Sequence, residues 1–214
     1  ILDREQFDII HFHEPWVPVL SRQILSRSKS INVATFHAKL PESLLSKSII
    51  STVVPYTKSI LKYIDTYTAV SPAAAEHLQS LSDEHVEIIP NGIRLEQFTH
   101  TNHLTRKNKK KRIVYLGRLE KRKGIEHLLS AYASLRESHK DVELIIGGNG
   151  VKNNMLQRIV AQYEIPDVTF LGYVTEEDKP YLLASADVFC SPALYGESFG
   201  IVLLEAMAVG TPVV

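Results

Sequence analysis

Short runs rich in β-branched and aromatic residues alternate along the whole chain with longer stretches whose apolar residues recur at helical spacing. The first four runs, at 7–12, 31–36, 66–70 and 86–89, read as strands. Between them, 18–27, 41–63 and 72–81 read as helices, with Ser71 placed to cap the one that Pro72 opens. A second series has strands at 112–116, 142–146, 168–171 and 188–190, and helices at 123–137, 151–163 and 176–184. Strand, helix, strand is the signature of parallel sheets, so the pattern predicts an α/β fold with two doubly wound units. The boundaries it suggests are 1–93 for the first unit, 94–111 for a linker and 112–214 for the second. Six of the seven residues from Arg106 to Arg112 are basic, a run that repels itself into an exposed, extended segment.

Composition narrows the function. The 44% of hydrophobic residues suffices for one or two cores, and 24 basic against 24 acidic residues leave no overall field to gather nucleic acid. A small or locally bound substrate suits such a surface better. Cys190 is the single cysteine, so no disulfide forms within the chain, and a reducing, cytoplasmic compartment is expected. The longest apolar stretch, 201–207, is interrupted by Glu205 and falls far short of the roughly 20 residues that span a bilayer, so membrane contact is expected to be peripheral. Lys39, Lys47, Lys58 and Lys62, set against the one Glu42, suit an anionic membrane surface or equally a solvated helix face. The chain opens on Ile1 and stops at Val214 within a strand-like pattern, which reads as truncation at both ends.

The chemistry concentrates in the segment from Tyr195 to Pro212. Residues 199–209 read as a helix apolar on nearly every face, which would bury Glu205 in a dry place. A buried carboxylate requires a partner, and two adjacent ribose hydroxyls could each donate a hydrogen bond to it. Gly196 and Gly200 let backbone approach a ligand, and the N–H groups of Ser198, Phe199 and Gly200 would open the helix toward an anion such as a diphosphate. The bland alternative makes Glu197 a helix cap and Glu205 half of a structural ion pair.

A second cluster lies in Gly117-Arg118-Leu119-Glu120-Lys121-Arg122-Lys123-Gly124, where a strand runs into a helix. Arg118 could fork across phosphate oxygens and Lys123 supply a point charge, with Lys121 and Arg122 solvated. Taken alone, this string suits an ordinary surface helix start equally well. In the first half, His37 ends a strand, the side on which open α/β sheets bind ligands. His11 and His13 share a strand face, and packing or lining suits them better than a metal. No Asp-x-Asp occurs, and Glu176-Glu177-Asp178 reads as a helix start, so metal-independent chemistry is expected. Gly147-Gly148-Asn149-Gly150 is not the Gly-x-Gly-x-x-Gly of a nicotinamide site.

Glu197 and Glu205, with seven residues between them in Gly-Glu-Ser-Phe-Gly-Ile-Val-Leu-Leu-Glu-Ala-Met-Ala, resemble the signature of the retaining glycosyltransferases of family four, the glycosyl transferases group 1. The resemblance implies the GT-B architecture, two Rossmann-like domains facing across a cleft, with the acceptor on the first and the nucleotide-sugar on the second. It assigns the donor sugar to Glu197, the ribose to Glu205, the departing diphosphate to Arg118 and Lys123, and the sugar or acceptor to His37. Gly196, Ser198, Phe199 and Gly200 would surround the nucleotide-sugar. In Phe170-Leu171-Gly172-Tyr173-Val174 the backbone at Val174 would meet the base, and Lys179 lies in the same region. Pro90-Asn91-Gly92-Ile93 is a further hallmark, although Arg94 stands where the family usually has Asp.

His13-Glu14-Pro15 and Val33-Ala34-Thr35-Phe36-His37 look most similar to phosphatidylinositol mannosyltransferases. The implied reaction moves a hexose, with mannose favoured, from a nucleoside-diphosphate sugar such as GDP-mannose to the hydroxyl of a lipid or glycan acceptor. No cofactor is needed, and the implied location is the cytoplasm at the inner face of the membrane. A nucleotide-sugar epimerase of the same fold, and a non-catalytic nucleotide-sugar-binding protein, are the rival readings.

Overall fold

The computed structural model describes residues 2–16, 19–38, 55–98 and 110–214. Its residues divide into two compact units: Ile1–Asn91 with Gly196–Phe199, and Gly92–Tyr195 with Gly200–Val214. Much of the expected linker, including most of its basic run, lies outside the described residues. Around that gap, Leu95–Gln97 form a 3-10 turn and Phe98 is buried against Val114 and Phe189 in a core of the second unit.

The first unit carries four parallel strands in the order β1-β2-β3-β4: Ile9–His13, Ile31–Phe36, Thr66–Ala69 and Val86–Ile88. Each falls within two residues of its expected position, because β-branched and aromatic runs bounded by polar turns leave the pleated backbone few other registers. The helices are α1 (Leu2–Glu5), which no pattern announces, α2 (Leu20–Arg27), α3 (described at 55–61) and α4 (Pro72–Gln79). The expectation of a helix from 41 lies, up to residue 54, outside the described residues. Ser71 caps α4 as the sequence suggests, its hydroxyl accepting the Ala74 N–H at 3.1 Å. Leu25, Ala34, Phe36, Ile60, Ala69 and Leu78 form the core.

In the second unit the strands are β5 (Lys111–Leu116), β6 (Val142–Gly147), β7 (Val168–Gly172) and β8 (Val188–Phe189), parallel and ordered β7-β6-β5-β8. Successive residues of β6 enter different cores. Leu144 and Ile146 join Leu129, Tyr132 and Leu156 on one face, while Ile145 joins Leu183, Phe189 and Ala206 on the other. Helices α5 (Ile125–Ser138) and α6 (Asn153–Gln162) thus cover one side, and α7 (Lys179–Ala184) and α8 (Ile201–Ala208) the other. Among the described residues no helix is long and apolar enough to cross a membrane.

Glycines and turns correct several helix starts. Gly124 takes φ +69° between a 3-10 turn at Lys121–Lys123 and α5, so the helix opens at Ile125 rather than at 123. Gly200, at φ +78°, delays α8 from the expected 199 to Ile201. Residues 176–178 form a turn, and α7 begins only at Lys179. The burial expected all around α8 is also corrected: Glu205 and Ala206 are buried, but Ile201 and Met207 are exposed.

A β-carbon at Gly124 would fall 1.9 Å from the Pro192 carbonyl oxygen, on a backbone already in the left-handed region. Gly124→Ala should therefore destabilise the second unit by at least about 1–3 kcal/mol. Gly92→Ala, with nothing within 4 Å of the added carbon, should stay within about 0.5 kcal/mol. Denaturant melts of the two variants side by side check this, and equal midpoints would refute the packing described.

Candidate functional site

Strand order makes the site in the second unit. The chain moves outward from β5 to β6 and β7, then returns to β8 on the opposite side of β5. Loops leaving β5 and β8 at their carboxyl ends therefore part, the arrangement at which open α/β sheets hold ligands. Two backbone bonds fix the β5 loop to the β6 loop: Gly117 N–H to the Gly147 carbonyl at 3.0 Å, and Leu119 N–H to the Asn149 carbonyl at 2.9 Å. A third, Leu194 N–H to the Arg122 carbonyl at 2.9 Å, ties it to the segment after β8.

On this rigid loop the two expected cations occupy different settings. Arg118 is 65% exposed at its side chain and pairs with Glu120 through Nη1 at 3.0 Å. Lys123 ends the 3-10 turn, its N–H donating to the Glu120 carbonyl at 3.1 Å. Arg122, expected to be solvated, is instead half-buried, with Nε 3.2 Å from Glu120 Oε2. Glu120 thus accepts from the arginines on both sides of it and orders the loop. The Val174 and Leu116 side chains lie against Gly147, where a β-carbon would come within 3.0 and 2.9 Å of them.

Glu205 is 7% exposed in α8. Its Oε1 accepts from Lys179 Nζ at 3.0 Å, and the same ammonium donates to Glu176 Oε2 at 2.6 Å. Lys179 reaches it from the first turn of α7 because α7 and α8 share one face of the sheet. Burial by itself would lower the Lys179 pKa, but its hydrogen bonds to Glu176 and Glu205 and their charges outweigh that and hold it above 10.5. The partner that a dry carboxylate demands is thus present within the chain. The N–H groups expected at Ser198, Phe199 and Gly200 do not form the first turn of α8, which Gly200 caps instead.

The first unit gathers a different set. His13, the last residue of β1, lies in register with Thr35 of β2, two residues before His37. His13 Nδ1 and His37 Nε2 are 2.7 Å apart. The His11 and His13 rings lie 4.4 Å centre to centre, and those of His13 and His37 5.0 Å. His37 is also held by its main chain. Glu14 Oε1 accepts its N–H at 2.5 Å and that of Ala38 at 2.7 Å, and the Ser198 hydroxyl donates to its carbonyl.

His11 completes a directional chain. The Thr68 hydroxyl donates to the Ala34 carbonyl at 3.3 Å, so it accepts from Thr35 Oγ1 at 2.6 Å. Thr35, its one proton used, must accept from His11 Nε2 at 2.7 Å. Burial, and then the charges of His13 and His37, lower the His11 pKa from its ordinary value, which favours the neutral ring.

Of the residues singled out in the sequence, Arg118, Lys123, Val174, Gly200 and Glu205 belong to the second unit, and His37, Gly196, Glu197, Ser198 and Phe199 to the first. Phe199 packs on the first core. The pairing of Lys179 with Glu205 and the hold of His13 and Glu14 on His37 escaped sequence reasoning. Only the topology brings together residues 26, 24 and 23 positions apart. Among the described residues no group of three His, Cys, Asp or Glu is arranged to hold a metal ion.

Residues 96–214 match the family model described as glycosyl transferases group 1, and residues 1–97 that described as Glycosyltransferase Family 4. The chain is 38% identical over 211 residues to the phosphatidyl-myo-inositol mannosyltransferase of Mycobacterium leprae, an alignment covering 97% of this chain and 54% of that protein. It thus spans about half the length of the curated relatives it matches. Among solved structures, sucrose-phosphate synthase from Thermosynechococcus elongatus superposes with a TM-score of 0.80 at 25% identity, over 99% of this chain and 56% of that one. Anabaena HepE in complex with UDP and glucose gives 0.81 at 20% identity, over 97% and 59%. Both likenesses agree with a GT-B architecture.

Lys179 and Glu205, with 15% and 9% of their side chains exposed, form a pair whose halves are costly to separate. Lys179→Met or Glu205→Leu alone should destabilise by up to about 3–5 kcal/mol, and the double variant should recover most of that loss. The Lys179 contribution is present in full below pH 10.5 and should fade only as pH rises through the raised value. Thermal melts of the four proteins from pH 7 to 11 measure both effects.

Proposed function

The chain belongs to the glycosyl transferases group 1 family, and from that premise we propose that its protein is a retaining hexosyltransferase. It moves a hexose, mannose first among the candidates, from a nucleoside-diphosphate sugar to an acceptor hydroxyl. The observation that carries this reading is the pairing of a buried Glu205 with Lys179 in the unit whose β5 loop presents Arg118 and Lys123. Such a carboxylate keeps one oxygen for Lys179 and offers the other to paired hydroxyls such as those of a ribose. Cations on an ordered loop suit the charge that develops on a departing diphosphate, which is where electrostatic stabilisation contributes most to transfer.

Each candidate residue then takes a role. Arg118 and Lys123 neutralise the diphosphate, and the first turn of α8 adds N–H donors near it. Glu197 orients the donor sugar, and His37 addresses a hydroxyl of the sugar or of the acceptor. Gly196, Ser198, Phe199 and Gly200 shape the backbone around the donor, and Val174 borders the base. Chemistry proceeds without a metal, because the cations of the protein take its place at the diphosphate.

The acceptor class rests on the relatives. The Mycobacterium leprae protein is a phosphatidyl-myo-inositol mannosyltransferase by name, which supports a phosphatidylinositol-type lipid and GDP-mannose as first choices. A lipid acceptor in turn supports work at the inner face of a membrane, with peripheral contact.

Calorimetry with GDP, UDP and ADP in EDTA tests the donor site. One nucleotide should bind, and Glu205→Ala should weaken it by about 1.5–3 kcal/mol, the worth of hydrogen bonds to a charged group. Lys123→Ala should weaken it by a similar amount. Binding that requires a divalent ion would remove the metal-independent mechanism, and no binding of any of the three would remove the transferase reading. Product analysis with GDP-mannose and phosphatidylinositol then separates transfer from rearrangement of the donor alone.

A further inference from the structure

His37 is fixed at three atoms, and only two of them belong to its main chain. Glu14 takes its N–H, Ser198 donates to its carbonyl, and His13 Nδ1 meets its ring at Nε2. A residue that merely shaped the loop would need the first two alone. The third contact governs the ring itself, because two imidazole nitrogens at 2.7 Å hold one proton between them.

The direction of that bond follows from the tautomers it demands. If His13 Nδ1 were the donor, both rings would carry their proton on Nδ1. If His37 Nε2 is the donor, both carry it on Nε2, the form a neutral imidazole side chain favours by itself. His11, whose tilted ring lies 4.4 Å from that of His13, takes the same form when its Nε2 donates to Thr35.

We propose that His13 is a positioning residue: its Nδ1 accepts the Nε2–H of His37, fixing the ring and leaving His37 Nδ1 as a lone pair for a substrate hydroxyl. The identity of that hydroxyl, on the donor sugar or on the acceptor, rests on the glycosyltransferase reading; the hydrogen bond does not. A hydroxyl approaching Nδ1 finds an acceptor of fixed direction, and no ring has to turn when substrate binds.

The shape of the contact dictates the test. An Asn side chain places its amide near the position of a histidine Nδ1, whereas Gln reaches to that of Nε2. His13→Ala, His13→Asn and His13→Gln should therefore differ in a pattern that a structural role would not produce. Long-range proton–nitrogen NMR of the ¹⁵N-histidine-labelled protein at pH 8, with His37 assigned by its loss in His37→Gln, reads the tautomer directly. His37 should be in the Nε2–H form in the wild type and in His13→Asn, and a mixture in His13→Ala and His13→Gln. A wild-type His37 protonated on Nδ1, or one unchanged in His13→Ala, overturns the proposal.

Sugar transfer gives the second readout. His13→Ala and His13→Gln should lower kcat on the order of tenfold or more at nearly constant donor KM, and His13→Asn should restore most of it. Equal losses in all three would overturn the positioning role. If the wild type transfers no sugar, the proposed function fails, while the tautomers still decide the hydrogen bond. Should His13→Ala not fold, the contrast between Asn and Gln decides alone.

Discussion

Glu205 is a charge in the middle of a helix whose other seven residues carry none. Placing it there is unfavourable unless a cation and hydrogen bonds come with it, and that requirement arranges much of the second unit. Helix α7 must run beside α8, with Lys179 in its first turn and Glu176 close by to share the ammonium. β8 must lie on the far side of β5 from β6, so that α8 comes to the same face as α7. The strand order that meets this demand is the one that parts the loops after β5 and β8. The buried charge and the parting of these loops are thus two results of one topology.

Arg118 and Lys123 depend on the same frame. Their loop is tied by backbone bonds to the loop after β6 and to the segment after β8, and Glu120 clasps Arg118 and Arg122 from within. Long cationic side chains lose much entropy when they are ordered. A loop held from three directions has met part of that cost before any anion arrives. Gly124 allows a close approach to Pro192, and any other residue there would push the β5 loop away from the β8 side.

The strands were legible because they are short and bounded by turn residues, and in the central strands β2, β3 and β6, buried along most of their length, little competes with that signal. Helix starts were less so. Apolar periodicity continues through Gly200 into Phe199, but a left-handed φ at Gly200 ends the helix whatever the side chains favour. The charged motifs were visible as strings, and Glu205 as a buried carboxylate, since composition and spacing are local properties. Its partner was not. Lys179 stands 26 residues earlier in a short helix, and although the resemblance touches it, nothing in the sequence pairs it with Glu205 until α7 and α8 are laid on one face. His13 was visible as one of two histidines on a strand face, whereas its bond to His37 needed the register that sets His13 beside Thr35.

The two units hold polar chemistry in opposite ways. In the second, charge meets charge: Arg118 and Arg122 on Glu120, and Lys179 on Glu176 and Glu205. In the first, His11, Thr35 and Thr68 pass hydrogen bonds in one direction to a carbonyl, and burial favours the neutral His11 ring. A diphosphate is recognised mainly by charge, which acts over several ångströms and tolerates imprecise geometry. A hydroxyl is recognised by direction, which needs a fixed lone pair or proton and gains little from net charge. The proposed reaction would benefit from keeping these modes apart, because a cation beside the histidines would disturb the tautomers that give them direction. The zero net charge of the chain conceals that separation, which appears only when each group is followed to its partner.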